Sequence, residues 1–308
     1  MLYGIIIAFT SFAAYAISDA CIKFLDGTLP AYEVACIGAF FGLFAIPFIK
    51  TSNDDWMDMF RTTNRKLWLL RAVSATVGVV GSVTAFTFLS MAEAFALIFL
   101  MPAFVTILSA VFLKEKSGWK RWTAVLIGFV GVLVVLRPGF RELSIGHFGA
   151  LFAGLGGAIG IVIMRRMGSN EKRVSLYNAS MIGPILICGL LMIPGFQAPT
   201  ALQWLYLAGY GLLAALGGVL LIIAAQHAPA SVVALPQYSQ MIWAILFGYF
   251  IFNDHVDTPM LIGIVLIVIS GLFTFLREQQ RGIDKPPTMV TTMAEPSIMD
   301  DTQENHIS

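Results

Sequence analysis

The chain has 308 residues, of which 58% are hydrophobic and 12% are charged. Soluble proteins carry about 25% charged residues, and a globule of this size could not cover its surface with so few ionised groups, so the composition excludes an ordinary water-soluble domain and indicates a membrane protein. Nineteen basic residues are balanced by eighteen acidic ones, which argues against a nucleic-acid partner because such a protein needs a basic face.

Apolar windows of the length needed to cross a bilayer predict ten transmembrane helices and an all-α integral membrane protein. In chain order the windows are residues 3–25, 31–49, 67–89, 92–113, 121–137, 146–165, 176–194, 202–225, 231–252 and 259–276. Residues 277–308 are polar, contain Pro and lack apolar periodicity, which predicts a disordered tail. The first window lacks a preceding basic stretch and carries Asp19 and Lys23, so we interpret it as a mature helix and not as a secretory signal.

The positions of Lys and Arg predict the orientation, because cytoplasmic loops are enriched in these residues. With the N-terminus in the cytoplasm and the spans alternating, sixteen of the nineteen basic residues fall on the cytoplasmic side. Only Lys23, Arg137 and Arg141 fall on the other side. Both termini, including the tail at 277–308, are therefore predicted to be cytoplasmic.

The two halves of the chain share a weak internal repeat. A shift of 139 residues aligns residues 111–116 with 250–255, and each segment is followed by an apolar span that contains Gly. The first of these loops has four basic residues and the second has none, as expected if equivalent loops lie on opposite sides of the membrane. The pattern predicts two inverted five-helix repeats, 1–140 and 141–276, an arrangement that places a substrate site between the halves. General Gly-rich self-similarity is the alternative explanation.

The ninth window contains the strongest candidate binding site. Pro236, Gln237, Tyr238, Gln240 and Trp243 interrupt an otherwise aliphatic helix. Amide and phenol groups need hydrogen-bond partners away from water, and a polar cavity supplies them. Aromatic walls with amide donors suit a planar or cationic organic solute. The alternative is hydrogen bonding between helices, with Trp243 as a packing residue.

Ionisable residues within spans are candidate functional groups, because an unpaired charge in hydrocarbon is costly. Asp19 is predicted to face the central cavity, although Asp19 and Lys23 are one helical turn apart and could instead form a local ion pair. Arg71 either extends to the cytoplasmic surface or contacts an anionic substrate. Pro102 and Pro184, with Pro236, are predicted to mark helix bends.

Other acidic residues have structural explanations. Glu33 suits the positive end of a helix dipole. Glu93 follows Ser90 at capping-box spacing. Glu115 and Asp254 are interpreted as interfacial charges that fix helix ends.

The sequence predicts no metal, cofactor or enzymatic activity. Cys21, Cys36 and Cys188 lie in apolar runs without metal-like spacing. Asp254, His255 and Asp257 are interpreted as a solvated loop and not as a metal site. The chain contains no nucleotide-binding Gly-rich Lys-Ser/Thr motif and no metal-protease or nucleophile-elbow motif.

An ordered set of motifs resembles the drug/metabolite transporter superfamily, EamA type. The first half carries it in AEAFALIFLMP at 92–102, KEK at 114–116 and GFVGVLVVLRPG at 128–139, and the second half in PQYSQMIW at 236–243. Within the superfamily, SDA at 18–20 and YEV at 32–34 are similar to bacterial carriers for S-adenosylmethionine or riboflavin uptake.

The resemblance implies a secondary transporter that moves a small organic metabolite across the bacterial inner membrane by alternating access. An exporter of the same fold is the alternative, and an intramembrane enzyme or a channel subunit ranks lower. The lipid bilayer and a small-molecule substrate are the implied partners, and a homodimer is left open. Many relatives have an arginine shortly after the glutamate of the second span, where this chain reads ACIG at 35–38, so an anion-binding role is not carried over.

Overall fold

The structure, a computed structural model, describes residues 2–52, 54–114, 119–137, 142–167, 171–227 and 235–283. Within these residues it consists of helices, turns and loops without β-strands. The α-helices are α1 (Leu2–Phe24), α2 (Ala31–Gly42), α3 (Ile46–Ile49), α4 (Arg65–Phe88), α5 (Met91–Ile98), α6 (Met101–Phe112), α7 (Trp119–Leu136), α8 (Ile145–Met167), α9 (Arg173–Met192), α10 (Ala201–His227), α11 (Ser239–Phe250) and α12 (Thr258–Ile283). Short 3-10 turns occupy Leu43–Ala45, Trp56–Met59, Ile193–Gly195 and Leu235–Tyr238.

Most of the predicted spans correspond to helices that are long and apolar enough to cross a membrane. Seven such segments occur in the described chain: Leu2–Phe24, Ala31–Ile49, Arg65–Phe88, Met91–Phe112, Ile145–Met167, Arg173–Gly195 and Ala201–Ala224. Shorter apolar helices occupy Trp122–Leu136 and Thr258–Phe273, and α11 lies within the predicted ninth span. Large apolar side chains such as Phe48, Leu190 and Phe250 are exposed on the outside of the bundle, where a bilayer would cover them.

The last helix extends beyond the predicted end of its span. α12 continues to Ile283, so residues 277–283, which the sequence assigns to the disordered tail, are helical. The remainder of that predicted tail, 284–308, and the start of the predicted ninth span, 231–234, lie outside the described residues.

The three prolines predicted to bend helices occur in different settings. α5 ends at Ile98 and α6 begins at Met101, so the chain leaves the α-helical conformation immediately before Pro102. Pro236 lies in the 3-10 turn that precedes α11. Pro184 lies inside α9, which continues through it to Met192.

Glycine residues set the closest helix contacts. An added Cβ at Gly81 of α4 would lie 2.5 Å from the carbonyl oxygen of Gly149 in α8. Between α7 and α12, a Cβ on Gly131 would lie 2.9 Å from the Gly263 carbonyl oxygen, and one on Gly263 would lie 2.7 Å from the Gly131 oxygen. Real Cβ atoms do not approach backbone so closely, so these glycines allow the antiparallel helices to pack backbone to backbone.

We expect Gly81→Ala to lower the melting temperature of the purified protein, with a cost of about 1–3 kcal/mol that is typical of overpacking. Gly78→Ala is the matched control, because a Cβ at this position, one turn earlier on the same helix, would meet its nearest neighbour at an ordinary 3.8 Å. The measurement is thermal unfolding in detergent. Equal melting temperatures for the two variants would contradict a tight α4–α8 contact.

One end of the bundle is fastened by a network between the 50–64 loop and the start of α9. Lys172 Nζ lies 2.5 Å from the Asp58 carboxylate and 3.1 Å from Asp54. The hydrogen bond from Lys172 lowers the pKa of the Asp58 carboxyl below its ordinary value. Glu171 accepts hydrogen bonds from the backbone N–H and the hydroxyl of Thr63 at 2.9 and 2.7 Å. We call this the basic end, because its loops carry most of the Lys and Arg residues that the sequence places in the cytoplasm.

The opposite end is closed by an ion pair between the two halves of the chain. Lys23, at the end of α1, donates to the Asp254 carboxylate at 2.6 Å and to the Leu89 carbonyl at 3.3 Å. The same Asp254 oxygen accepts from the backbone N–H of Met91 at 3.1 Å. This group, the Lys23–Asp254 clamp, joins the end of α1, the α4–α5 connection and the segment after α11.

Candidate functional site

Asp19 is a carboxylate inside the helix bundle without an ionic partner in the described chain. Its side chain is partly buried among α1 and the helices packed against it. The sequence also allowed an ion pair between Asp19 and Lys23 within α1. This pair does not form in the structure, because Lys23 binds Asp254 instead. Asp19 is therefore available for an interaction inside the bundle.

Tyrosine side chains lie in the part of the bundle that contains Asp19. Tyr15 precedes Asp19 by one turn on α1, and α10 brings Tyr210 next to Ser18, whose hydroxyl donates to the Tyr210 carbonyl at 2.7 Å. Tyr177 of α9 is close enough to Tyr15 for an electrostatic interaction between them. These four residues form what we call the Asp19 cluster. The sequence analysis did not single out Tyr15 or Tyr210, although Tyr15 at a spacing of one turn from Asp19 is a signal that helical periodicity could have revealed.

Glycine residues make room for the tyrosine rings. The ring of Tyr210 packs onto Gly38 of α2, at a position that any Cβ would block. The ring of Tyr15 packs over Gly217 of α10, where an added Cβ would lie 3.1 Å from three ring carbons. Tyr177 is held differently, since its hydroxyl donates to the Gly42 carbonyl at 2.9 Å. The hydroxyls of Tyr15 and Tyr210 have no hydrogen-bond partner among the described residues, which leaves both for a ligand.

The predicted site residues of the ninth window lie in a second location. The Tyr238 ring stacks on Phe99 with centroids 5.9 Å apart, and its hydroxyl packs against Gly271 of α12. Trp243 packs against Phe9 and Phe247 at centroid distances of 5.9 and 5.7 Å. No described contact joins either ring to the Asp19 cluster.

Polar groups in this second location are left without partners in the described chain. The Trp243 indole Nε1 is buried without a hydrogen-bond acceptor, and the Ser239 hydroxyl is in the same state. Gln237 and Gln240 are partly buried. In the described chain, the Trp243 ring therefore packs against other aromatic rings, and its indole N–H makes no hydrogen bond to another helix.

Arg71 is a bridge between helices. Its Nε donates to the Leu176 carbonyl of α9 at 2.8 Å, and its Nη1 donates to the Gly160 carbonyl of α8 at 3.1 Å. The guanidinium thus points into the α4–α8–α9 contact, where backbone carbonyls hold it.

The remaining acidic candidates have structural partners, with one exception. The Ser90 hydroxyl accepts from the Glu93 backbone N–H at 3.2 Å, as predicted for a cap, while the Glu93 carboxylate also lies 3.2 Å from His147 Nε2. Glu33 is fully buried and accepts one hydrogen bond from the Gln197 backbone at 3.3 Å, but its other oxygen has no partner in the described chain. Glu115 lies outside the described residues.

The described residues contain no group of three or more His, Cys, Asp or Glu that could hold a metal ion. The three cysteines are free thiols. The described interior does bring together a carboxylate and aromatic rings inside an apolar bundle.

Comparison with known proteins finds relatives that are named as transporters. The chain is 24% identical to an S-adenosylmethionine uptake transporter of Rickettsia bellii, over 88% of this chain and 92% of the relative. It is 26% identical to a riboflavin transporter of Vibrio cholerae, with 88% and 92% covered, and 23% identical to the pseudopaline exporter CntI of Pseudomonas aeruginosa, with 87% and 94% covered. A solved crystal structure matches with a TM-score of 0.59 at 16% identity, over 91% of this chain and 99% of that one, which shows a shared fold.

The family model of EamA-like transporters matches the chain twice, at residues 2–137 and 144–276. Together the two matches cover nearly all of the helical part of the chain. The resemblance to EamA-type drug/metabolite transporters is thereby confirmed, and the chain belongs to the EamA-like transporter family.

Proposed function

We propose that this multi-pass membrane transporter is a secondary carrier that moves a small organic metabolite across the bacterial cytoplasmic membrane by alternating access of two inverted halves. The relatives named above transport S-adenosylmethionine, riboflavin or pseudopaline according to their names. Uptake of S-adenosylmethionine or a riboflavin-like solute is the leading assignment, because carriers named for these solutes are similar over about nine tenths of the chain.

The observation that carries alternating access is the pattern of helix packing. In an inverted repeat, each span of one unit corresponds to the span five places along in the other, so that α1 corresponds to α8, α2 to α9 and α4 to α10. Under this exchange the α1–α10 contact becomes the α8–α4 contact, and the α4–α9 contact becomes the α10–α2 contact. All four contacts occur. The α2–α9 and α7–α12 contacts map onto themselves and also occur. Such exchange supports two equivalent five-helix units, 1–140 and 141–276, in a ten-helix protein.

Helix direction supports the inversion of these units. Ser270 of α12 donates to the Ala124 carbonyl of α7 at 2.5 Å, and Gly263 of α12 packs against Gly131 of α7. Advancing along α7 therefore means going back along α12, so the fifth and tenth spans, which are equivalent positions of the two units, are antiparallel. Inverted repeats require this direction.

The orientation can be tested by labelling single cysteines in a variant whose three native cysteines are replaced by Ala. With both termini cytoplasmic, an impermeant maleimide should label Asp26→Cys, in the exposed loop after α1, in intact cells. Lys66→Cys, exposed at the start of α4, should react only after the membrane is permeabilised. The reverse pattern would overturn the orientation.

The substrate assignment can be tested with purified protein in liposomes. We expect saturable accumulation of radiolabelled S-adenosylmethionine or riboflavin above that of protein-free liposomes, with each unlabelled solute competing against its own label. Folded protein that transports neither solute would contradict the leading assignment. The similarity to a pseudopaline exporter favours the alternative, an exporter, which predicts instead that cells expressing the chain accumulate less of a solute than control cells.

A further inference from the structure

When it is ionised, the Asp19 carboxylate needs a positive charge, because a buried charge without a partner is strongly unfavourable. Residues 31–49 and α10 contain no Lys or Arg, and the only Arg of α9 is at its first residue. On α1 the nearest cation, Lys23, already binds Asp254, and Arg71 of α4 donates to carbonyls of α8 and α9. A charge that balances ionised Asp19 is therefore not found among these helices and can come from a bound cation.

The groups around Asp19 fit an organic cation better than a bare metal ion. A hard metal ion needs several oxygen ligands, mostly carboxylate, carbonyl and water, and the cluster offers one carboxylate. The rings of Tyr15 and Tyr210 offer π-faces, which attract ammonium and related cations. Their hydroxyls, without partners among the described residues, can in addition hydrogen-bond polar groups of the same molecule.

We propose that Asp19, Tyr15 and Tyr210 form the subsite that binds the cationic centre of an organic substrate, such as a sulfonium, a quaternary ammonium or a protonated amine. This inference rests on the proposed transport function and narrows it to a substrate class. Gly38 belongs to the subsite as a positioning residue, because its missing side chain is what allows the Tyr210 ring to occupy the space between α10 and α2.

Thiol labelling tests the subsite without knowledge of the substrate. In the cysteine-free background, Tyr210→Cys places a thiol in the cluster, and its reaction rates are compared for a methanethiosulfonate bearing a trimethylammonium group and one bearing a sulfonate. We expect Asp19→Asn to lower the ratio of cationic to anionic rates by about tenfold or more, because a nearby unit charge in a partly buried site has that effect. The matched control is Asp26→Cys in the exposed loop, where the ratio should not depend on Asp19.

Two outcomes would overturn the subsite. One is a rate ratio at position 210 that does not respond to Asp19→Asn; the other is a thiol that neither reagent reaches, since the cavity would then be closed to ligands. The protein could fail the liposome uptake test and still be labelled faster by the cationic reagent in a manner that depends on Asp19. That result would support the cation subsite and would contradict only the proposed substrates.

A matched ligand pair provides a second measurement. S-adenosylmethionine and S-adenosylhomocysteine differ by one methyl group and the positive charge on sulfur. If the first is the substrate, it should raise the melting temperature more than the second, and Asp19→Asn should remove the difference. Equal stabilisation by S-adenosylmethionine and S-adenosylhomocysteine would contradict recognition of a cation by Asp19. So would stabilisation by the uncharged solute riboflavin that is the same in the parent and the Asp19→Asn proteins.

Discussion

Lys23→Met is expected to lower the free energy of unfolding by about 3–5 kcal/mol, the usual cost of leaving a buried charge without its partner. Among the described residues, the Asp254 carboxylate would keep only the Met91 backbone N–H, 3.1 Å away. Both side chains of the pair are about 15% exposed, so water could replace the lost ammonium only in part. The measurement is chemical or thermal unfolding of the purified protein in detergent.

A double-mutant cycle isolates the clamp from general damage. Asp254→Asn keeps an oxygen that can accept from Met91, and the double variant with Lys23→Met removes both charges, so its cost should be well below the sum of the two single costs. Arg61→Met is the matched control: Arg61 pairs with Asp58 at 3.3 Å but is 69% exposed, and such surface pairs contribute about 0–1 kcal/mol. Additive effects of the two clamp variants would show that Lys23 and Asp254 do not interact in solution.

The clamp illustrates what the sequence can and cannot predict. Hydropathy identifies most of the spans, because every segment that crosses the bilayer must be apolar over about the same length. The partner of Lys23 could not be predicted in the same way, since Asp19 at one helical turn and Asp254, 231 residues further along the chain, are chemically equivalent acceptors. The choice depends on where the end of α11 lies relative to α1, which is a property of tertiary packing.

The candidate site likewise has residues that the sequence identifies and residues that only the packing of the helices reveals. Asp19 is identifiable from sequence because a carboxylate in an apolar span is rare. Tyr210 is not, because a tyrosine in a long apolar helix is ordinary until its ring is found against Gly38. Aromatic and amide side chains in the ninth window were predicted to share the site with Asp19, but Tyr238 and Trp243 pack against Phe99 and Phe9, and their role in substrate binding stays a prediction.

Arg71→Met is the second change for which we expect a large effect, a loss of about 2–4 kcal/mol, because hydrogen bonds from a charged group contribute about 1.5–3 kcal/mol each and are not fully additive. Arg71→Lys keeps the charge but has no planar fork to reach both the Leu176 and the Gly160 carbonyls, so it should recover only part of the loss. The measurement is the melting temperature without added ligand, with Arg65→Lys, at the exposed start of α4, as the control.

The same variants separate the two functions considered for Arg71. A bridge between α8 and α9 predicts lower stability in ligand-free protein and an unchanged ratio of affinities for anionic and neutral solutes. A residue that binds an anionic substrate predicts the opposite: normal stability with a selective loss of anion affinity in Arg71→Met. Since both guanidinium hydrogen bonds are already made to backbone carbonyls, we expect the first result.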